Sequence, residues 1–400
     1  MVLLTHEKTI KKFIENTDEP IAVVLGKYIT VGLGAVRCLG RAKVPVLWLD
    51  SSSKHVGFHS KYCTGMVCPH PRDNPNKYID CLLQIGSILN EKGVLFPVRD
   101  VEVINILKHK KQLEKYFFIP MANWEISEIL INKKLFYKRL EKLNIAHAKT
   151  FFPSNVSDVE KVSKKINYPC VLKPSFSASF VLDFNTKAFI ANKSSQLINF
   201  YKKALSKNHE LIIQEIIPGN VRNMHGLNAY YDKTFSPNGV FMYRRIREWP
   251  HGMGNGCFIE SVKIPELEKI INPLIKNIRY YGIIDAELRK DPRDNEFKLI
   301  EINSRCWMQC SLPTRCGINI PYFAYLDAIG KNLEKPKEIL QNVKWLYMWE
   351  DIRSSMKSIL KKDLSFLEWI KSYKGEKEYS IFAKDDIIPF LYSLIPFYQQ

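Results

Sequence analysis

A chain of 400 residues with 46% hydrophobic and 25% charged residues has apolar material for two or three packed cores, which excludes global disorder. The 59 Lys+Arg against 41 Asp+Glu leave a net charge of +18, which suits phosphate-rich or anionic partners. That excess is not gathered into a tail, and no RNA- or DNA-binding motif accompanies it, so nucleic acid is not expected. The nine cysteines form no CxxC pair and read as reduced thiols rather than a zinc site or a disulfide framework. Residues 1–8 lack a signal-peptide apolar core, and no run approaches the roughly 18 apolar residues of a membrane span. A cytoplasmic protein is expected.

In chain order, residues 21–25 (Ile-Ala-Val-Val-Leu) read as a compact strand. Gly26, Gly32 and Gly34 surround the turn after it, 35–41 reads as a helix, and 44–49 as a second strand ending at Asp50. This is a βαβ unit of Rossmann type. Its glycines fall short of a full GxGxxG, so a tightly turning parallel sheet explains them better than a bound dinucleotide. Residues 94–98 add a strand, with Asp100 placed to cap a helix from Val101 onward. Residues 1–120 are expected to form an N-terminal Rossmann-like domain.

Residues 128–143 carry helical periodicity with a densely basic face. Residues 166–174 run a strand into Lys173 and a small-residue loop with Ser175, Ser177, Ala178 and Ser179, where a lysine and loop amides could cradle a phosphate. Residues 211–219 form an apolar strand carrying Glu215, a carboxylate that could meet an adenine amino group or sit at a plain sheet edge. Strands follow at 224–231 and 239–247. In the second, Tyr243, Arg245 and Arg247 alternate and are expected on one face, suited to an anionic reacting group or to solvent. Residues 251–256 are a glycine-rich loop expected to be mobile, and 264–281 a helix. A helix at 317–330 closes this part. Residues 331–400 are basic and aromatic-rich, and their end at 387–398 reads as a docked appendage in preference to a weak anchor on an anionic membrane surface.

The most informative stretch is 282–305. Two alternating segments, Gly-Ile-Ile-Asp-Ala-Glu-Leu-Arg-Lys and Glu-Phe-Lys-Leu-Ile-Glu-Ile-Asn-Ser-Arg, flank a Pro- and Asn-containing turn and read as a hairpin. Ile284, Ala286, Leu288, Ile300 and Ile302 are expected on one face. Asp285, Glu287, Arg289, Glu301, Asn303 and Arg305 are expected on the other. Matching the apolar faces brings Glu287 and Glu301 together, and like charges across a strand pair destabilise it. Either Arg289 and Arg305 neutralise them, or two carboxylates and an amide hold a hard divalent cation bridging to nucleotide phosphates.

Taken together, the segments Asn132-Lys133, Tyr-Pro-Cys-Val-Leu-Lys173-Pro, Gln-Glu215-Ile-Ile-Pro-Gly, Arg-Arg-Ile-Arg-Glu-Trp-Pro250, Asp-Ala-Glu287-Leu-Arg and Glu301-Ile-Asn303-Ser-Arg305 resemble, in that order, the ATP-grasp superfamily. The likeness is to its carboxylate–amine ligase branch that includes D-aspartate ligase-like proteins, and it covers residues 20 to 330. It implies an α/β and α+β architecture: the N-terminal Rossmann-like domain, an ATP-grasp domain at 121–330 with lobes at 121–215 and 216–330, and a C-terminal helical or irregular extension at 331–400. It implies an ATP-dependent ligase joining a small carboxylate to an amine through an acyl phosphate. Its cofactors would be ATP and Mg²⁺, with Mn²⁺ an alternative ion. By the resemblance Lys133, Lys173, Ser175 and Ser177 would meet the phosphates, and Glu215 with the Ile216–Ile217 backbone the adenine. Glu287, Glu301 and Asn303 would hold the metal, while Arg245, Arg247 and Arg305 would act on the transferring phosphoryl group. Two departures stand out: the segment after Lys173 lacks the family's glycines, and Ser304 replaces the usual proline. The alternatives are a nucleotide-binding regulatory module without turnover and an NAD(P)-dependent oxidoreductase; a homodimer is compatible with any of these.

Overall fold

The computed structural model describes residues 7–15, 17, 19–252, 254–333 and 338–395. Its strands assemble into three sheets. The first is parallel, in the order β3-β2-β1-β4-β5, from β1 (Ala22–Leu25), β2 (Val46–Asp50), β3 (Thr64–Val67), β4 (Gly93–Pro97) and β5 (Phe117–Phe118). Its short apolar strands are buried on both faces, as parallel strands require. Ala22, Val24 and Trp48 enter one core, and Val23, Leu25, Leu47 and Leu49 enter the other.

The helix after β1 runs from Ile29 to Arg41, beginning earlier than its sequence suggests and taking in Gly32 and Gly34. Both glycines serve packing. A Cβ on Gly32 would lie 2.2 Å from the Trp48 ring, and one on Gly34 would lie 2.7 Å from Cys310 Sγ. Of Gly26, Gly32 and Gly34, only Gly26, at φ +123°, occupies a backbone conformation that side chains avoid. The ground for reading these glycines as a dinucleotide turn is thereby removed.

The second sheet, β6-β9-β7-β8, is antiparallel, from β6 (Thr150–Phe151), β7 (Cys170–Pro174), β8 (Phe189–Ala191) and β9 (Leu211–Glu215). The basic segment beside it is two helices, Trp124–Ile131 and Lys133–Lys142. Asn132 ends the first, and its side chain caps the second by accepting from the amides of Lys134 and Leu135. Residues after Lys173 that were expected as loop begin another helix, Ser177–Phe184.

The third sheet has the order β14-β13-β10-β11-β12-β15-β16. It contains β10 (Met224–Tyr231), β11 (Pro237–Trp249), β12 (Asn255–Ser261), β13 (Gly282–Lys290), β14 (Phe297–Asn303), β15 (Lys344–Leu346) and β16 (Lys377–Tyr379). The helix Glu266–Ile278 covers one side. Its Leu267, Ile271, Leu274, Ile275 and Ile278 recur at helical spacing and pack on Leu227, Ile284, Ala286 and Leu288.

The C-terminal segment is therefore built into this sheet as its last two strands, with β16 at the edge. It also grips the first sheet's layer. Asp386, buried, accepts from Arg37 Nε at 2.9 Å and Ser60 Oγ at 2.7 Å. The helix Ile388–Ser393 follows, with Tyr392 stacked on His59 at 3.6 Å. Part of the 387–398 stretch, residues 396–398, lies outside the described residues. Among the described residues no helix is long and apolar enough to cross a membrane.

Candidate active site

The hairpin supplies the floor of the site. In β13 and β14, Glu287 stands directly opposite Glu301, and Asp285 opposite Asn303. A bulge follows, because Leu288 pairs with Leu299 and leaves Ile300 unmatched. Leu299, not Ile300, consequently enters the core with Ile302, and Ile300 is half-buried. The bulge leaves the acidic pair aligned.

The charges that answer these glutamates differ from those the sequence suggests. Arg245 Nη2 donates to Glu287 Oε1 at 2.5 Å, and Lys133 Nζ lies 3.5 Å from Glu301 Oε2. Arg289 instead donates to the backbone oxygens of Pro218 and Gly219. Arg305 donates to Asp100 Oδ1 at 2.7 Å and to Asn303 Oδ1 at 3.2 Å. Asp100 is thus no helix cap. It is the first residue of the helix Asp100–Lys108 and fixes Arg305 across the join between the first and third sheets.

Electrostatics follow from this crowding. Burial raises the Glu287 carboxyl; Arg245 opposes that rise, and Glu301 adds to it. Desolvation would also raise Glu301, but Lys133 and then Lys173 overcome it and hold that group well below the usual carboxylate range. Lys173 Nζ, at the end of β7, donates to Gln214 Oε1 at 2.8 Å and sits 5.9 Å over the Tyr137 ring. Burial, and next the like charge of Lys133, push Lys173 down to about 8. If Lys173 is a phosphate ligand it acts in its charged form, so the KM for a nucleoside triphosphate would then rise as pH passes upward through about 8. Lys173→Arg should flatten that rise, because a guanidinium stays charged there. Steady-state kinetics against pH checks both, and an identical profile in the variant would count against it.

Lys133, Ser177, Glu301 and Asn303 line one cavity, together with Asp100 and Ser304. The other expected contacts diverge. Ser175 is turned away, its hydroxyl donating to Glu210 Oε2 at 2.8 Å. Glu215 accepts from the Lys149 amide at 3.0 Å and pairs with Arg293 of the hairpin turn at 3.0 Å; Ile216 is exposed and Ile217 buried.

Arg247 does not join Arg245. Arg245 pairs with Ile259 and Arg247 with Phe258, so three residues of β11 span two of β12. This bulge reverses the alternation and sends Arg247 to the opposite face. There it donates to buried Asp351 at 2.6 Å, beneath the Phe258 ring at 4.4 Å.

The hairpin face also brings in Asp285, for which the sequence motifs imply no role. Asp285 is buried and accepts from Asn228 Nδ2 at 2.8 Å and Asn303 Nδ2 at 3.2 Å. Burial first and Glu287 second push its carboxyl up to about 7. By receiving the Asn303 amino group it leaves Asn303 Oδ1 turned toward Arg305. The available signal was its place on the same hairpin face as Glu287.

Among the described residues no three His, Cys, Asp or Glu side chains stand close enough to hold a metal ion by themselves. Two hard carboxylates and an amide oxygen do fit Mg²⁺, which commonly completes its shell with water and substrate phosphates. The adjoining lysines suit those phosphates. The donor set therefore fits an ion that arrives with a nucleotide.

No family model matches the chain. It is 27% identical over 333 residues to a D-aspartate ligase of Enterococcus faecium, covering 79% of this chain and 78% of that protein. In structure it is similar to the biotin carboxylase domain of Hydrogenobacter thermophilus 2-oxoglutarate carboxylase, solved with MgADP and bicarbonate. That match has a TM-score of 0.63 at 16% identity and covers 82% and 74% of the two chains. It is also similar to an L-amino acid ligase from Bacillus licheniformis, with a TM-score of 0.61 at 13% identity over 79% and 75%. The chain has the ATP-grasp fold. Within that class its likeness is to the carboxylate–amine ligases, and in sequence it is D-aspartate ligase-like.

Proposed function

We propose that this protein is an ATP-dependent carboxylate–amine ligase. The observation that carries the reading is Glu287 set directly against Glu301, with Lys133, Lys173 and Asn303 converging on the pair. The carboxylate substrate attacks the γ-phosphorus of ATP and ADP leaves, giving an acyl phosphate. The amine then adds to the acyl carbon, phosphate leaves with the bonding electrons, and the amine's proton passes to solvent or a base. Glu287, Glu301 and Asn303 would hold Mg²⁺, which would supply neutralisation of the phosphate oxygens.

The chain's own groups position and stabilise, which is the main work of phosphoryl transfer. Lys133 and Lys173 bind the phosphates, Ser177 lies beside them, and Arg305, held by Asp100, faces the transferred group. Arg245 orients Glu287. The adenine lies against the Ile216–Ile217 backbone near Glu215. The substrates are small molecules, and the D-aspartate ligase likeness makes amino acids the first carboxylates to try.

Coupled measurement of ADP release with Mg·ATP, a panel of amino acids and other carboxylates, and a panel of amines tests this. Release that requires one carboxylate and one amine is expected. Tight nucleotide binding with no release under any pairing would instead favour a regulatory module.

A further inference from the structure

We infer that the turn joining the helices Met348–Leu360 and Phe366–Ser372 is a docking surface for an anionic lipid bilayer. Large apolar side chains stand out there: Leu360 is 80% exposed, Leu367 69%, Phe366 58% and Ile370 49%. Four large apolar side chains left exposed at one turn of a folded domain point to an interaction surface.

The tip is presented rigidly. Arg247 of β11 holds Asp351. Tyr373 Oη donates to the same carboxylate at 2.5 Å, and Trp369 Nε1 donates to Tyr373 Oη at 2.7 Å. Lys344 Nζ donates to the backbone oxygens of Ser372 and Lys374. The inner face of the helix Met348–Leu360 is thus committed to the sheet, Trp369 and Tyr373 tie the second helix to it through Asp351, and Phe366, Leu367 and Ile370 stay exposed. Ser365 and Glu368 cap the second helix reciprocally, which fixes the corner.

Charge selects the occupant. Between residues 353 and 374 there are six basic residues (Arg353, Lys357, Lys361, Lys362, Lys371 and Lys374) and two acidic ones, Asp363 and Glu368. Glu368 is turned onto Ser365. Two copies meeting tip to tip would bring these like charges together. An anionic bilayer accepts both features, apolar tips at the acyl boundary and ammonium groups among the phosphates. The surface belongs to a different segment from the 387–398 tail that the sequence pointed to, and the inference is independent of the ligase reading.

Co-sedimentation of the full chain with phosphatidylcholine vesicles, with and without phosphatidylglycerol, tests it. Binding is expected only with the anionic lipid and is expected to weaken as salt rises. The double variants Leu360→Glu/Leu367→Glu and Lys361→Glu/Lys362→Glu should each lose about tenfold or more in partitioning while keeping the wild-type circular dichroism spectrum. Failure of the wild type to bind anionic vesicles would overturn the proposal. So would undiminished binding by both variants, or a wild-type dimer in light scattering that Leu360→Glu/Leu367→Glu dissolves.

Discussion

Glu301→Gln is expected to lower substrate-dependent ADP release by at least ~10²-fold while leaving the protein folded. The side chain is 38% exposed, toward the cleft, and lies outside the packed core, so the isosteric amide removes charge without opening a void. Its loss leaves Lys133 without its carboxylate partner and removes one of the two hard anionic donors. It also relieves the repulsion across the strand pair, so thermal stability should change little. A variant that unfolds would make Glu301 structural. One that turns over at the wild-type rate would remove the metal role. ADP release and circular dichroism read the two separately.

The second large effect belongs to Arg247 and is of the opposite kind. Its guanidinium and the Asp351 carboxylate are both buried and make two hydrogen bonds to each other. Breaking such a pair leaves an uncompensated buried charge and costs about 3–5 kcal/mol. Asp351→Asn and Arg247→Met should each lower the denaturation midpoint sharply, and the double variant by less than the sum. Turnover per folded molecule should persist. A loss of kcat at full stability in Arg247→Met would restore Arg247 to the reaction, against its placement here. Arg245→Met should behave differently, because its partner is Glu287 in the site.

The contrast between these arginines shows what the sequence could and could not convey. Strict alternation of Tyr243, Arg245 and Arg247 predicts one face, and the rule fails at a single extra residue. Nothing in Tyr-Arg-Arg-Ile-Arg encodes that bulge. It depends on how β12 pairs, and the partner that takes Arg247 lies 104 residues away. The bulge at Ile300 was equally silent, yet did no harm, since it falls beyond the paired glutamates. The acidic pair was legible because two short periodic segments and a turn fix their own register. Asp100 was misread for a comparable reason: a residue of cap type before a helix is a local signal, and its true partner Arg305 is 205 residues distant. Asn132 is the converse case, a break inside a periodic stretch whose capping role appears only once the chain turns there.

Calorimetric titration with a non-hydrolysable ATP analogue, with and without Mg²⁺, tests the central claim that Glu287 and Glu301 form a metal–nucleotide floor. In the wild type, saturable binding is predicted that strengthens with Mg²⁺, while Mg²⁺ alone gives little heat. In Glu301→Gln the Mg²⁺-dependent part should disappear. Binding equally strong with Mg²⁺ or EDTA, and unchanged by the substitution, would contradict the account.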